Sequence, residues 1–103
     1  MHIQRLSEHL SGWGHAHEDT AEGWMAHGFA EGLDLARQHA GRNYPGSSGL
    51  WTDEAKEYIR VGCAAAGDRA LAYLYEEALK AGYRIGRDLI ALNEEQAKEQ
   101  ERR

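Results

Sequence analysis

The six histidines of the chain, His2, His9, His15, His17, His27 and His39, all fall within its first 39 residues. Glu8, Glu18, Asp19, Glu22, Glu31 and Asp34 are interleaved with them, against only Arg5 and Arg37. Imidazole and carboxylate are the groups that ligate metals, move protons and respond to pH near neutrality. Chemistry in this protein is therefore expected in the N-terminal third. His15, Asp19 and Glu22 are spaced i, i+4, i+7, and His27, Glu31 and Asp34 repeat that spacing. On a continuous helix each set would present one imidazole and two carboxylates along one face. Zinc or another divalent transition metal takes three or four such ligands, so His15, Asp19, Glu22, His27 and Glu31 are the candidate ligand set. Against this stands the absence of His-Glu-x-x-His, Cys-x-x-Cys and the Glu-x-x-His of di-iron bundles.

Catalysis has less support. Cys63 is the single cysteine and lies among small residues with no histidine near it in sequence, so no nucleophile is paired with a base. His17, Glu18 and Glu22 are the acid–base candidates. No phosphate-binding glycine loop occurs. The expectation is a non-enzymatic protein without a bound cofactor, the metal being the alternative. His39 falls on an apolar stripe near a helix end, where the dipole favours its charged form and a pH switch is the functional reading.

These groups must be positioned by helices. The 103 residues are 42% hydrophobic, enough for one modest domain with its own core. Residues 3–10 place Ile3, Leu6 and Leu10 on one side, and Ser11–Gly14 reads as a break. A long helix is expected from about 16 to 40, with Ala21, Met25, Gly28, Gly32, Ala36 and His39 on its apolar stripe. Loop 42–51, around Pro45, separates this N-terminal pair from the C-terminal half. Thr52 with Asp53 and Glu54 marks the next start, with Ala55, Tyr58, Ile59, Gly62, Ala66, Ala70 and Tyr73 sharing a face. The apolar face then rotates, placing a break at Gly67-Asp68, with Asp68 capping a helix to about Lys80. A further turn at Gly82 precedes a last helix over 84–100, burying Ile85, Leu89, Ile90 and Leu92. Residues 94–103 form a charged helix end. The fold class is all-α, a compact bundle of four to five helices forming a single domain over 1–103.

Several of the twelve glycines lie inside these helical stretches, where each costs roughly 1 kcal/mol relative to alanine. Gly28, Gly32, Ala36 and Ala40 are four apart, as are Gly62, Ala66 and Ala70, and Ala78, Gly82 and Gly86. Such rows permit close helix packing, and the long N-terminal helix is expected to cross the 53–70 helix there.

Ala78-Leu79-Lys80-Ala81-Gly82 is similar to the Ala-x-x-x-Gly core of helix-turn-helix proteins. That family needs an apolar residue six positions after the glycine, where this chain has Asp88. With a net charge of −5, direct nucleic-acid binding is not expected. No apolar run approaches the ~18 residues of a membrane span and no signal peptide heads the chain, so a cytoplasmic protein is expected. The leading functional expectation is a helical protein–protein interaction module, a homodimer, whose partner carries a basic surface. A stoichiometric inhibitor of a host protein, of the mobile-element type, fits the same composition. The candidate partner-facing residues are Glu18, Asp19, Glu22, Trp24, His27, Glu31, Asp34, Tyr44, Trp51 and Tyr75.

Overall fold

A computed structural model describes residues 2–38 and 53–101. They form four helices, with no strand among the described residues: α1 (Ile3–Ala16), α2 (Ala21–Gln38), α3 (Asp53–Ala66) and α4 (Arg69–Glu101). The all-α expectation holds. The expected loop 42–51, the Thr52 cap, His39, Tyr44 and Trp51 lie outside the described residues.

The boundaries differ from the sequence reading in three places. Gly12 and Gly14 do not break α1, which continues to Ala16. The expected 16–40 helix begins only at Ala21, because residues 17–20 turn the chain. Thr20 makes that turn: its hydroxyl donates to the His17 carbonyl at 2.8 Å and accepts the Gly23 amide at 3.0 Å. This is N-cap chemistry, satisfying one orphan donor of α2. The third difference is at Gly82, through which α4 runs unbroken, so there is no fifth helix among the described residues. Residues 78–88 therefore contain no turn, and the helix-turn-helix likeness stops at a short stretch of sequence.

The break at Gly67-Asp68 is where it was expected. Gly67 has φ +69°, a left-handed conformation that favours glycine. Asp68 Oδ1 then accepts the amides of Ala70 at 2.8 Å and Leu71 at 3.1 Å, capping α4.

α2 is the central element. It packs chiefly on α4 and, on another side, against α1, while α3 rests on α4. Covering on two sides explains its wide buried surface: Gly23, Trp24, Gly28, Ala30, Gly32, Leu33, Leu35 and Ala36. Met25, expected on the apolar stripe, is instead exposed, and Trp24 is buried. The core joins Trp24, Leu35 and Ala36 to Tyr75, Leu79 and Tyr83 of α4, with Ile59 and Cys63 of α3 packed at its edge.

Gly28 and Gly32 of α2 face α4 rather than the 53–66 helix. A Cβ on Gly28 would overlap the Tyr75 carbonyl oxygen, and one on Gly32 the Leu79 carbonyl oxygen. Gly82 meets the Phe29 backbone in return. The expected crossing of the long N-terminal helix with the 53–70 helix is thus corrected, since α4 is the element these glycines approach.

At ~1.5 Å per residue, the 33 residues of α4 span about 50 Å. That length matches the longest dimension of the molecule, 52 Å. Beyond Ile90 every described residue except Asn93 is exposed, including Leu92, which was expected to be buried. The charged end outruns the described part of α2, and no helix among the described residues covers it.

Candidate functional site

His15 and His27 of the histidine-rich third come together where α1 hands over to α2. Gly14 sits against the α2 backbone, and a Cβ there would lie 2.8 Å from both the Gly23 carbonyl oxygen and the His27 amide nitrogen. This close approach sets His15, the next residue, over His27. Their rings meet edge to face at 4.4 Å between centroids. Glu18, in the turn, is held by its own carbonyl, which accepts the indole N–H of Trp24 at 2.9 Å. Its carboxylate Oε1 accepts His15 Nδ1–H at 2.8 Å.

His15, Glu18 and His27 each bring a ligand atom within 4.8 Å of the other two. Tetrahedral zinc with bonds of about 2.0–2.1 Å separates its ligand atoms by roughly 3.3 Å. His15 and Glu18, exposed by 56% and 48%, have room for the side-chain rotation that closing this difference requires.

His27 is the buried member, its side chain 15% exposed. It is enclosed by Trp24, stacked at 5.7 Å, and by Tyr75, edge-on at 5.6 Å. Nε2–H donates to Glu31 Oε1 at 2.8 Å. Nδ1 is buried and has no hydrogen-bond partner among the described residues. A neutral imidazole that donates through Nε2 carries its lone pair on Nδ1. That bare acceptor is unusual, since buried polar atoms are almost always satisfied. An imidazole held through one nitrogen by a carboxylate, with the other free, is the arrangement that orients metal-binding histidines.

Glu31 takes a second donor. The Tyr75 hydroxyl donates to Glu31 Oε2, across the α2–α4 interface. Burial, first, and then the Glu31 carboxylate hold the Tyr75 phenol far above the ordinary tyrosine range. Tyr75 therefore keeps its proton and serves as a donor.

Of the two i, i+4, i+7 sets, His27, Glu31 and Asp34 lie together on α2, whereas His15, Asp19 and Glu22 are separated. α1 ends at Ala16 and α2 begins at Ala21, so His15 shares no helix with Asp19 or Glu22. Asp19 and Glu22 are exposed and outside the cluster. Glu18 takes their place, and Glu31 lies behind His27 rather than beside it. Asp34 is engaged elsewhere, accepting the Ser7 hydroxyl at 2.7 Å, with Arg37 Nη1 at 3.7 Å. Of the aromatics expected at a partner surface, Trp24 and Tyr75 belong to the core, at 8% and 0% exposure. Nothing local in the sequence marks Tyr75 for this role, because it meets Glu31 from 44 positions away.

Comparison with protein-family models, with curated proteins and with solved structures finds no match to this chain.

Proposed function

We propose that this is a metal-binding helical protein, holding one divalent transition-metal ion, of which zinc is the best fit, on His15, Glu18 and His27. The observation that carries this reading is the buried, unpartnered Nδ1 of His27 in a ring already fixed through Nε2 by Glu31. Nitrogen and carboxylate ligands suit zinc better than calcium or magnesium, which prefer all-oxygen shells. Three protein ligands on an exposed rim leave a fourth position for water or for a group from a partner. The role proposed is binding, with no reaction assigned.

The test is competition for zinc against a chromophoric chelator. Wild type is expected to take up one equivalent. His27→Ala and His15→Ala are expected to lose it, while Asp19→Asn and Glu22→Gln retain it. Equal binding by a His15→Ala/His27→Ala double variant would place the metal on other histidines and overturn the reading.

A second reading, the interaction module, is favoured by the surface of α4. Leu92 is 54% exposed on a helix that outruns the bundle, and Tyr73 is 62% exposed. The occupant proposed is a second copy of the chain pairing along the α4 extension. Glu18, Asp19 and Glu22, all exposed, would then present carboxylates to a basic partner in the manner of a stoichiometric inhibitor. A native mass of twice the chain that Leu92→Glu converts to one chain supports this. A monomer at all accessible concentrations removes it.

A further inference from the structure

Tyr75 is where the metal cluster meets the rest of the fold. Its hydroxyl donates to Glu31 and also lies 3.3 Å from the Tyr58 carbonyl oxygen of α3. Gly62, one turn further along α3, rests on the Tyr75 ring so closely that a Cβ would overlap the ring and its hydroxyl. Among the described residues α3 packs on α4 and only lightly on α2, with Ile59, Cys63 and Ala66 set against the core beside Tyr75. Tyr75 itself is fully buried, so its ring is the floor on which α3 is laid.

We propose that loading of the His15–Glu18–His27 site and docking of α3 on α4 are linked equilibria, joined through Glu31 and Tyr75. The inference rests on the metal-binding reading above. A metal on Nδ1 fixes the His27 ring, and with it the direction of the Nε2–H bond to Glu31. Glu31 accepts His27 on one oxygen and Tyr75 on the other, so turning the carboxylate breaks both contacts at once. A fixed carboxylate fixes the Tyr75 hydroxyl, and the ring under Gly62 moves with it. Glu31 and Tyr75 are positioning residues here, since neither has a ligand atom in the cluster. Linkage is reciprocal: if the metal tightens α3, loosening α3 must weaken the metal.

The experiment uses the full chain and zinc alone as the probe. Amide hydrogen exchange is followed over residues 56–66, with and without one equivalent of zinc. Zinc is expected to slow exchange there in wild type but not in Tyr75→Phe. Zinc affinity is expected to fall roughly 10-fold in Glu31→Gln, as for other groups that orient a ligating histidine. Gly62→Ala, which touches no ligand, is expected to lower zinc affinity as well. A cobalt spectrum unchanged in shape between wild type and Tyr75→Phe shows that the same ligands are in use. If Gly62→Ala does not fold, Tyr75→Phe decides the question. Zinc that binds wild type while leaving α3 exchange unchanged overturns the linkage and leaves the metal site standing. Wild type that binds no zinc removes both.

Discussion

Gly32 lies so close to α4 that a Cβ on it would overlap the carbonyl oxygen of Leu79. Backbone cannot step aside as a flexible side chain can. Gly28 meets the Tyr75 carbonyl in the same way, one turn earlier. Gly28→Ala and Gly32→Ala should therefore each destabilise by about 1–3 kcal/mol, through overpacking that outweighs alanine's helix propensity. Gly12 is the contrast: it is inside α1, and a Cβ there meets nothing within 4 Å. Gly12→Ala should stabilise by roughly 0.5–1 kcal/mol. Urea midpoints of the three variants check this, and a common sign for all three would contradict it.

Asp68 starts α4, on which every other interface depends directly or through α2. Its Oδ1 accepts two backbone amides that would otherwise be orphaned. Asp68→Ala should cost about 1 kcal/mol, with Asp68→Ser nearer to neutral. Gly67→Ala adds a different penalty, about 1 kcal/mol for a side chain at φ +69°. The sites are adjacent, so the double variant tests whether the two costs add. Chemical denaturation of these four variants against wild type measures all of these.

The Gly67-Asp68 break was legible in the sequence because both of its causes are local. One residue permits the left-handed backbone and the next caps the new helix. Gly14 and Gly82 misled for the opposite reason. Read locally they are helix breakers, yet each faces the backbone of another helix, and that close approach offsets its propensity cost. Which glycines face a neighbour depends on tertiary packing. The Thr20 cap carried a readable signal, a hydroxyl three residues before Gly23, but the strong helical periodicity on either side masked it. At the candidate site, His15 and His27 were legible as ligand types. Their partner Glu18 was not, because its approach to His15 depends on α1 ending at Ala16. Tyr75 has no local signal at all.

Ser7 offers a check on how α1 is held to α2. It is 2% exposed, and its hydroxyl donates to Asp34 Oδ1 at 2.7 Å while lying 3.1 Å from the Ala30 carbonyl oxygen. Ser7→Ala removes a hydrogen bond to a charged acceptor and should cost roughly 1.5–3 kcal/mol. Asp34→Ala should cost less, because the Ser7 hydroxyl can turn to the Ala30 carbonyl. Thermal unfolding of the two variants orders them. A larger loss in Asp34→Ala would mean that the Asp34–Arg37 pair, at 3.7 Å, contributes more than an exposed i,i+3 pair ordinarily does.

Tyr75 predicts the alkaline limit of the fold. Burial, and then Glu31, raise the phenol far above its ordinary range in the native protein. In the unfolded chain it ionises near 10. The native-state value is the higher one, so this stabilisation is fully present below about pH 10. Above that, the unfolded state releases a proton that the native state retains. Stability should then fall by roughly 1.4 kcal/mol per pH unit for this one group. Tyr75→Phe removes the ionisable group and should flatten that limb, although it loses stability at neutral pH by leaving Glu31 one donor short. Tyr73→Phe, at an exposed position two residues away, should leave the limb in place. Urea unfolding of the three proteins between pH 8 and 11 reads the slopes directly. An equal slope in wild type and Tyr75→Phe would mean that the Tyr75 hydroxyl is not locked against Glu31, and the path from His27 to α3 would lose its middle step.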